Sequence, residues 1–360
     1  MRPAADPGRG GPALARTAAL MYTSRSGRID MTRRTFIAAG LGMALAAGMP
    51  AQAAQVPPRK RKLAAFKPLA LRRIAIEAGA SAPFKAIHLS DTHIARADVS
   101  DRDPRKTALA AERSRHFPFG EHYLAEAVFA ARRDKALLLH TGDMVDFVSN
   151  ANLAIAERYF GSGDWFACAG NHEFSKYVGE AREDAAYKAD SMERVSSALP
   201  CDPSFASRVV EGVNFVAADD VYYNFTAEQL DKMEKEVAKG LPIVFMCHVP
   251  LFTPKLYDAQ MRATKGACAY LAGVPDGKIA TWRAPAKPFA KGEEWRDRRV
   301  QQRTDAATSE FIAYLKAQPL VKAVLAGHLH SFWQERFSPT AVQHICPATY
   351  KGEGLAIDFA

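Results

Sequence analysis

Apolar and polar positions along this chain follow two periods in turn. The stretches 70–77 (ALRRIAIE) and 84–93 (FKAIHLSDTH) have the length and content of strands, with the turn-like AGASAP between them. Residues 135–143 (KALLLHTGD), 165–169 (WFACA), 243–250 (IVFMCHVP) and 321–330 (VKAVLAGHLH) are short apolar runs. Such runs suit strands buried on both faces. A hairpin is predicted over 208–219, and closing strands over 342–360. Between them, helical patterns cover about 121–133, 151–160, 178–199, 227–239 and 306–317. Thr226 and Gln229 form a capping-box pattern ahead of the fourth of these, and Gly240 and Pro242 end it. Strands alternate with helices first and hairpins enter later. This order predicts an α/β fold with mixed sheets in layers, and no internal repeat is visible.

The first 67 residues read differently. Residues 1–30 are rich in Ala, Arg, Gly and Pro without sustained periodicity, and predict an extension that does not fold alone. If translation starts at Met31, they are an artefact of the gene assignment. From Met31, a charged start precedes an apolar run from Phe36 to Met49, and small residues suited to cleavage lie near Ala51-Gln52-Ala53. The run is about 14 residues and mostly Gly and Ala, whereas a membrane span needs about 20. A stable membrane anchor is therefore not expected. Arg33-Arg34 followed by Thr35-Phe36-Ile37 resembles a twin-arginine export signal, with Ala38 where a lysine is often found. The expectation is a signal peptide over 31–54, recognised by the twin-arginine export machinery, a basic linker over 55–67, and a periplasmic or secreted bacterial domain over 68–360.

Charge narrows the partners. The formal net charge is +9. Residues 1–55 hold seven arginines and two aspartates, a net of +5, and the run Arg59–Lys62 adds +4. Since 9 − 5 − 4 = 0, residues 63–360 are electrically balanced. A nucleic-acid polymer is not an expected partner, because that role calls for a basic face on the folded domain. The five cysteines contain no CxxC pair, so neither a zinc ribbon nor a thioredoxin-type site is suggested, and Cys168 and Cys247 read as buried thiols.

Five of the apolar runs end in residues able to bind metal. These are Asp91 and His93, Asp143, Asn171 and His172, His248, and His328 and His330. Sites in α/β sheets form at the carboxyl ends of strands, where side chains from separate strands converge. Alternation along an extended chain would put Asp91 and His93 on one side, with Thr92 turned away, and would repeat this for His328 and His330. Gly142, Gly170 and Gly327 precede ligands and permit close approach. A lone histidine near a strand end is usually structural, the reading given to His88, His116, His122, His140 and His344. Seven ligand-type side chains at five strand ends do not reduce to separate coincidences.

In order, DTH, GDMVD, GNHE, HVP and GHLH resemble the signature of the calcineurin-like metallophosphoesterases, over roughly residues 84–332. The resemblance implies a four-layer α/β/β/α sandwich with two mixed sheets. It implies that Asp91, His93 and His330 hold one metal, that Asn171, His248 and His328 hold another, and that Asp143 bridges them. The donor set of carboxylates, imidazoles and an amide suits Mn, Fe or Zn, as divalent or mixed-valence ions. Two such ions clamp the oxygens of an in-line phosphoryl displacement and make hydroxide available near neutral pH. By resemblance, His172 protonates the leaving oxygen and Asp146 orients it, while Glu173 is given no catalytic role.

The expected activity is metal-dependent hydrolysis of a small phosphorylated substrate, a phosphomonoester or phosphodiester. The alternatives are a nucleotide or nucleotide-sugar pyrophosphohydrolase, or a non-catalytic metal-binding scaffold. Two departures narrow the class. Phe147 stands where the family's protein phosphatases carry Arg, which disfavours that activity. Asp146 stands where purple acid phosphatases carry a metal-binding Tyr, so no tyrosinate chromophore is expected. Residues 254–303 show little periodicity and are expected to form a long lid or insertion. Within them, 276–303 carry eight basic and four acidic side chains with Trp282 and Trp295 interleaved. Either an anion-holding lid or a solvated surface excursion fits that composition.

Overall fold

The computed structural model describes residues 67–178 and 185–360. The export-signal segment, and all of the linker but Lys67, lie outside the described residues. In chain order the strands are β1 (Ala70–Ile76), β2 (Phe84–Leu89), β3 (Leu137–Thr141), β4 (Trp165–Cys168), β5 (Phe205–Val210), β6 (Val213–Ala218), β7 (Ile243–Met246), β8 (Val321–Ala326), β9 (Trp333–Arg336), β10 (Val342–Ile345) and β11 (Glu353–Phe359). The helices are α1 (Pro104–Arg113), α2 (Gly120–Asp134), α3 (Asn150–Phe160), α4 (Asn171–Phe174), α5 (Ala185–Ala198), α6 (Ala227–Ala238), α7 (Pro254–Ala263), α8 (Asp276–Ile279), α9 (Arg298–Gln301) and α10 (Ala306–Ala317).

The strands form two mixed sheets, ordered β1-β11-β2-β3-β4 and β5-β6-β7-β8-β10-β9. Within the first, β2, β3 and β4 run parallel; within the second, β6, β7 and β8 do. Strand pleating explains why these strands read as continuous apolar runs. Leu137 and Leu139 of β3 face the second sheet, while Leu138 faces the helices over the first. Val244 and Met246 of β7 meet the first sheet, and Ile243 and Phe245 meet α6 and α10 through Met233, Phe311 and Leu315. On the opposite outer face, Leu124 and Ala127 of α2 and Ala156 of α3 cover β2–β4. The result is the four-layer α/β/β/α sandwich, with a core on either side of each sheet.

Most elements lie where the periodicity predicts them. The capping box of α6 is formed: Gln229 N–H donates to Thr226 Oγ1 at 3.2 Å and Thr226 N–H to Gln229 Oε1 at 2.8 Å. Five helices were not anticipated: the single-turn α4, α8 and α9, and the longer α1 and α7. Helix α1 follows the N-cap Asp103 with Pro104 in its first turn, and α7 follows Thr253 with Pro254 likewise. The expected featureless stretch 254–303 therefore holds α7, α8 and α9. Trp282 is buried there and packs with Leu256, Tyr257 and Leu271 in a satellite core, so it has no part in a lid. All five cysteines are free thiols, four of them buried. Among the described residues no helix is long and apolar enough to cross a membrane.

Candidate metal centre

The C-terminal ends of β2, β3 and β4 from one sheet, and of β7 and β8 from the other, meet at one edge of the sandwich. Each candidate ligand lies beyond the last residue of its strand, Asn171 at the start of α4 and the others in the loops that follow. Backbone φ is +53° at Asp91, +51° at His93, +57° at Asp143, +67° at His328 and +55° at His330. The expectation of an extended, alternating chain at these positions is thus corrected. The strand stops, and left-handed residues turn the ligands inward. Such residues cost roughly 1–2 kcal/mol each and persist only where the surroundings fix them. Here the loops fix one another: Asp91 N–H donates to Gly142 O at 3.0 Å and His93 N–H to Asp143 O at 2.9 Å. Thr92 turns away, and its hydroxyl meets His140 Nε2 at 2.9 Å. A Cβ on Gly170 would stand 2.3 Å from Asp143 Oδ1, so only glycine permits this approach of the chain after β4 to the Asp143 carboxylate.

Two groups of ligand atoms form, with Asp143 common to both. Asp91, His93, Asp143 and His330 make the first, and Asp143, His248 and His328 the second, with atoms within 4.8 Å of one another in each. In the first, His93 Nε2 and His330 Nε2 are 3.2 Å apart, and His330 Nε2 is 3.1 Å from Asp91 Oδ1. In the second, His328 Nδ1 and His248 Nε2 are 3.1 Å apart, and His248 Nε2 is 3.3 Å from Asp143 Oδ2. Asn171 opens α4 beside Asp143.

Outer contacts set which nitrogen of each imidazole faces inward. His248 Nδ1–H donates to Thr141 O at 2.6 Å, leaving Nε2 as the inward lone pair. His93 Nδ1 meets the Asp146 carboxylate at 3.0 Å, with the same effect. Tyr350 Oη is 3.3 Å from His330 Nδ1, and Tyr223 Oη is 3.3 Å from His328 Nε2. Phe117 stacks on the His93 ring at 4.6 Å.

The residues fit a pair of cations. The donors are nitrogen and oxygen only, a set for borderline and hard divalent ions. Asp91 and Asp143 are buried carboxylates facing each other's histidines. Asn171 Oδ1 is buried and meets no hydrogen-bond donor of the protein, and the buried Asp91 Oδ1 faces a ring nitrogen of His330, itself a candidate ligand. A buried oxygen without a partner is costly, and a cation at the centre of each group would satisfy both.

Asp146 and His172 sit beside this cluster. His172 Nδ1–H donates to the main-chain oxygen of Asp146 at 2.6 Å, while the Asp146 carboxylate stands 3.4 Å away. That carboxylate is committed to His93 and to Arg113, whose Nε and Nη2 reach it at 2.6 and 2.9 Å. Burial works against ionisation of Asp146, but Arg113 and His93 outweigh it and hold the carboxyl down at about 2. Burial likewise opposes protonation of His172, and the charges of Asp143 and Asp146 prevail and raise its pKa.

Sequence reasoning missed Arg113, which lies in the unanticipated α1 and belongs to no motif. It also missed the task of Glu173. The buried Glu173 carboxylate accepts N–H bonds from Gly170 at 2.6 Å, Asp143 at 2.7 Å and Val145 at 3.0 Å, and so locks the β3 and β4 loops together. Of the structural histidines, His88 and His140 lie buried behind the site, and burial lowers them to about 3 and about 4.

A cavity of about 420 Å³ opens from the second group of ligands. Asn171, His172 and His328 form its floor, and Trp295 of the 254–303 segment lines its wall.

Similarity to known proteins agrees with this geometry. Residues 84–332 match the family described as calcineurin-like phosphoesterase. No curated protein sequence matches the chain. Among solved structures, the chain is similar to a dimetal phosphatase from Danio rerio at 13% identity and a TM-score of 0.40, over 74% of this chain and 88% of that one. It is similar to phosphopantetheinyl hydrolase from Mycobacterium tuberculosis at 11% identity and a TM-score of 0.35, over 75% and 91%. A 5′-nucleotidase from Candida albicans gives 11% identity and a TM-score of 0.35, over 78% of this chain and 48% of that one. With the match running from the first strand-end motif to just past the last, the chain belongs to the calcineurin-like phosphoesterase family.

Proposed function

We propose that the protein hydrolyses phosphomonoesters or phosphodiesters and that the clustered side chains hold two divalent or mixed-valence ions. Asp91, His93 and His330 would hold one, and Asn171, His248 and His328 the other, with Asp143 shared. When bound, such a pair supplies positive charge against the phosphoryl oxygens and a nucleophile at neutral pH. The chain's own part is position and proton control. Because Nδ1 of His172 is committed to the Asp146 carbonyl, Nε2 is the nitrogen left to face the cavity. A proton on that nitrogen can pass to the oxygen of the departing group. Arg113 and Asp146 hold His93 at its angle and set the backbone that carries His172. A scaffold without catalysis has no use for an imidazole fixed at one nitrogen and aimed past the ligands.

That placement of His172, on the cavity floor beside the shared carboxylate, carries the reading. The test is His172→Ala, read by metal analysis and by turnover of 4-nitrophenyl phosphate with added Mn²⁺. Metal content is expected to stay near wild type while kcat falls about 10²–10⁴-fold, the usual share of general acid catalysis. Equal loss of metal and turnover would overturn the assigned role.

A further inference from the structure

We infer that the cavity beside Asn171, His172 and His328 recognises the departing group of the ester, and selects a flat ring joined to a second anionic group. The inference rests on the hydrolase reading above and adds the substrate class. At about 420 Å³ the cavity is far larger than one phosphoryl group needs, and it lies in the size range of small-molecule sites. On its His93 side the ligand cluster is flanked by Phe117, stacked on that ring, and by Tyr350. A departing group therefore extends toward the cavity.

Its walls are of two kinds. Tyr222, Tyr223, Tyr270 and Trp295 supply rings, and Arg296 and Arg298 supply positive charge, Arg296 in a half-exposed pair with Glu293 at 3.5 Å and Arg298 bonded to Gln301. Among the described residues no acidic side chain lines the cavity. The two kinds are interleaved: Arg298 lies over the Tyr270 ring at 5.5 Å, and Arg296 over Trp295 at 5.3 Å. Tyr270 is in turn 5.9 Å, ring to ring, from the ligand His328. Two ring–guanidinium pairs thus line the cavity, and the first of them stands one side chain from the metal-ligand cluster. Rings accept a planar group by stacking, and a guanidinium accepts a phosphate or carboxylate with paired N–H donors. Aromatic walls alone would suit any apolar group; the arginines add the demand for a second negative charge. Arg296 and Arg298 come from the segment between α8 and α10, and Tyr270 from the turn after α7. Specificity is therefore built on the part of the chain that carries no metal ligand.

The experiment compares substrates with similar primary alkoxide leaving groups, so that chemistry is held constant. With Mn²⁺-loaded protein, kcat/KM is measured for ribose 5-phosphate, adenosine 5′-monophosphate and adenosine 3′,5′-bisphosphate, and is expected to rise in that order. Trp295→Ala should raise KM for the adenosine esters about tenfold, the scale of one lost stacking contact, and leave ribose 5-phosphate nearly unchanged. Trp295→Phe should restore most of the loss. The double variant R296Q/R298Q should erase the advantage of the bisphosphate over the monophosphate. Separately, adenosine 3′,5′-bisphosphate should quench tryptophan fluorescence of chelator-treated protein, and the quench should vanish in Trp295→Ala. Equal kcat/KM for all three esters, with a quench that survives Trp295→Ala, would overturn the inference and leave the hydrolase reading standing. A quench lost in Trp295→Ala without hydrolysis of any ester would support the ring site and sink the hydrolase reading instead.

Discussion

Among single residues, those outside the candidate ligand set show best how the site is kept rigid. Glu173 follows Asn171 and His172 in the motif yet points backward, into three main-chain N–H groups. Replacing it by Gln puts an amide NH2 where one oxygen accepted, so a buried N–H meets a donor. Each such orphan costs about 1–3 kcal/mol. Glu173→Gln should therefore lower unfolding free energy by about that amount in urea titrations. Because the freed loop carries Asp143, metal content should fall with it. Arg113 is a second case. Its guanidinium grips the Asp146 carboxylate at two points and leaves that group to aim His93. Outer partners of metal-ligating histidines are typically worth about 10–100-fold in affinity or activity. Arg113→Ala should weaken Mn²⁺ retention on that scale, measured by competition with a chromogenic chelator, and Arg113→Lys should recover only part of it, since a lysine cannot make both bonds. A variant that binds Mn²⁺ as wild type does would show that Asp146 holds His93 without help.

At the scale of elements, legibility followed locality. The ligand motifs could be read because each is a contiguous string at a strand end, and the strands could be read because both their faces are buried. Helix α6 announced itself through its own Thr226 and Gln229. Removing the hydroxyl with Thr226→Ala should cost about 1 kcal/mol, seen as a melting-temperature drop of a few degrees at most. Turnover at 25 °C should be unchanged, because α6 packs on the far side of the second sheet. Helix α7 shows the reverse. Its buried positions are Leu256 and Tyr257, too few to set a period. Its first N–H groups are satisfied from outside, by the Glu335 carboxylate of β9, which accepts from Leu256 N at 2.9 Å and from Thr253 Oγ1 at 2.7 Å. A cap supplied from some 80 positions away leaves no local trace, although Pro254 after Thr253 was a start signal in plain view. The turned backbone at Asp91 and His93 was hidden for a related reason. It is held by distant loops, through Gly142 and Asp143 and through the N–H groups of Tyr350 and His328, and alternation is the default for a chain read alone.

At the scale of the whole molecule, the centre ties two sheets together. Asp91, His93, Asp143 and Asn171 come from one sheet; His248, His328 and His330 come from the other. No pattern along the chain says which strands share a sheet; the family resemblance supplied the two-sheet sandwich but not the assignment of strands to it. The consequence is a link between metal and stability. Unfolding separates the ligands, so a cation bound only by the folded state stabilises it by mass action, by about 2.7 kcal/mol at a concentration 100 times its dissociation constant. For a domain of this size each kcal/mol moves the melting temperature by roughly 2–4 °C. Chelator-treated protein should therefore melt about 5–10 °C below Mn²⁺-loaded protein, with the gap widening as Mn²⁺ rises. His248→Asn, which removes a ligand of the second group and keeps the volume small, should shrink the gap without abolishing it, because the Asp91, His93 and His330 set remains. Calorimetry across a Mn²⁺ series reads both effects. A melting temperature indifferent to Mn²⁺ at concentrations that restore turnover would mean that the ligands do not bridge the sheets as a folded-state bond, and that the ions join a scaffold already complete without them.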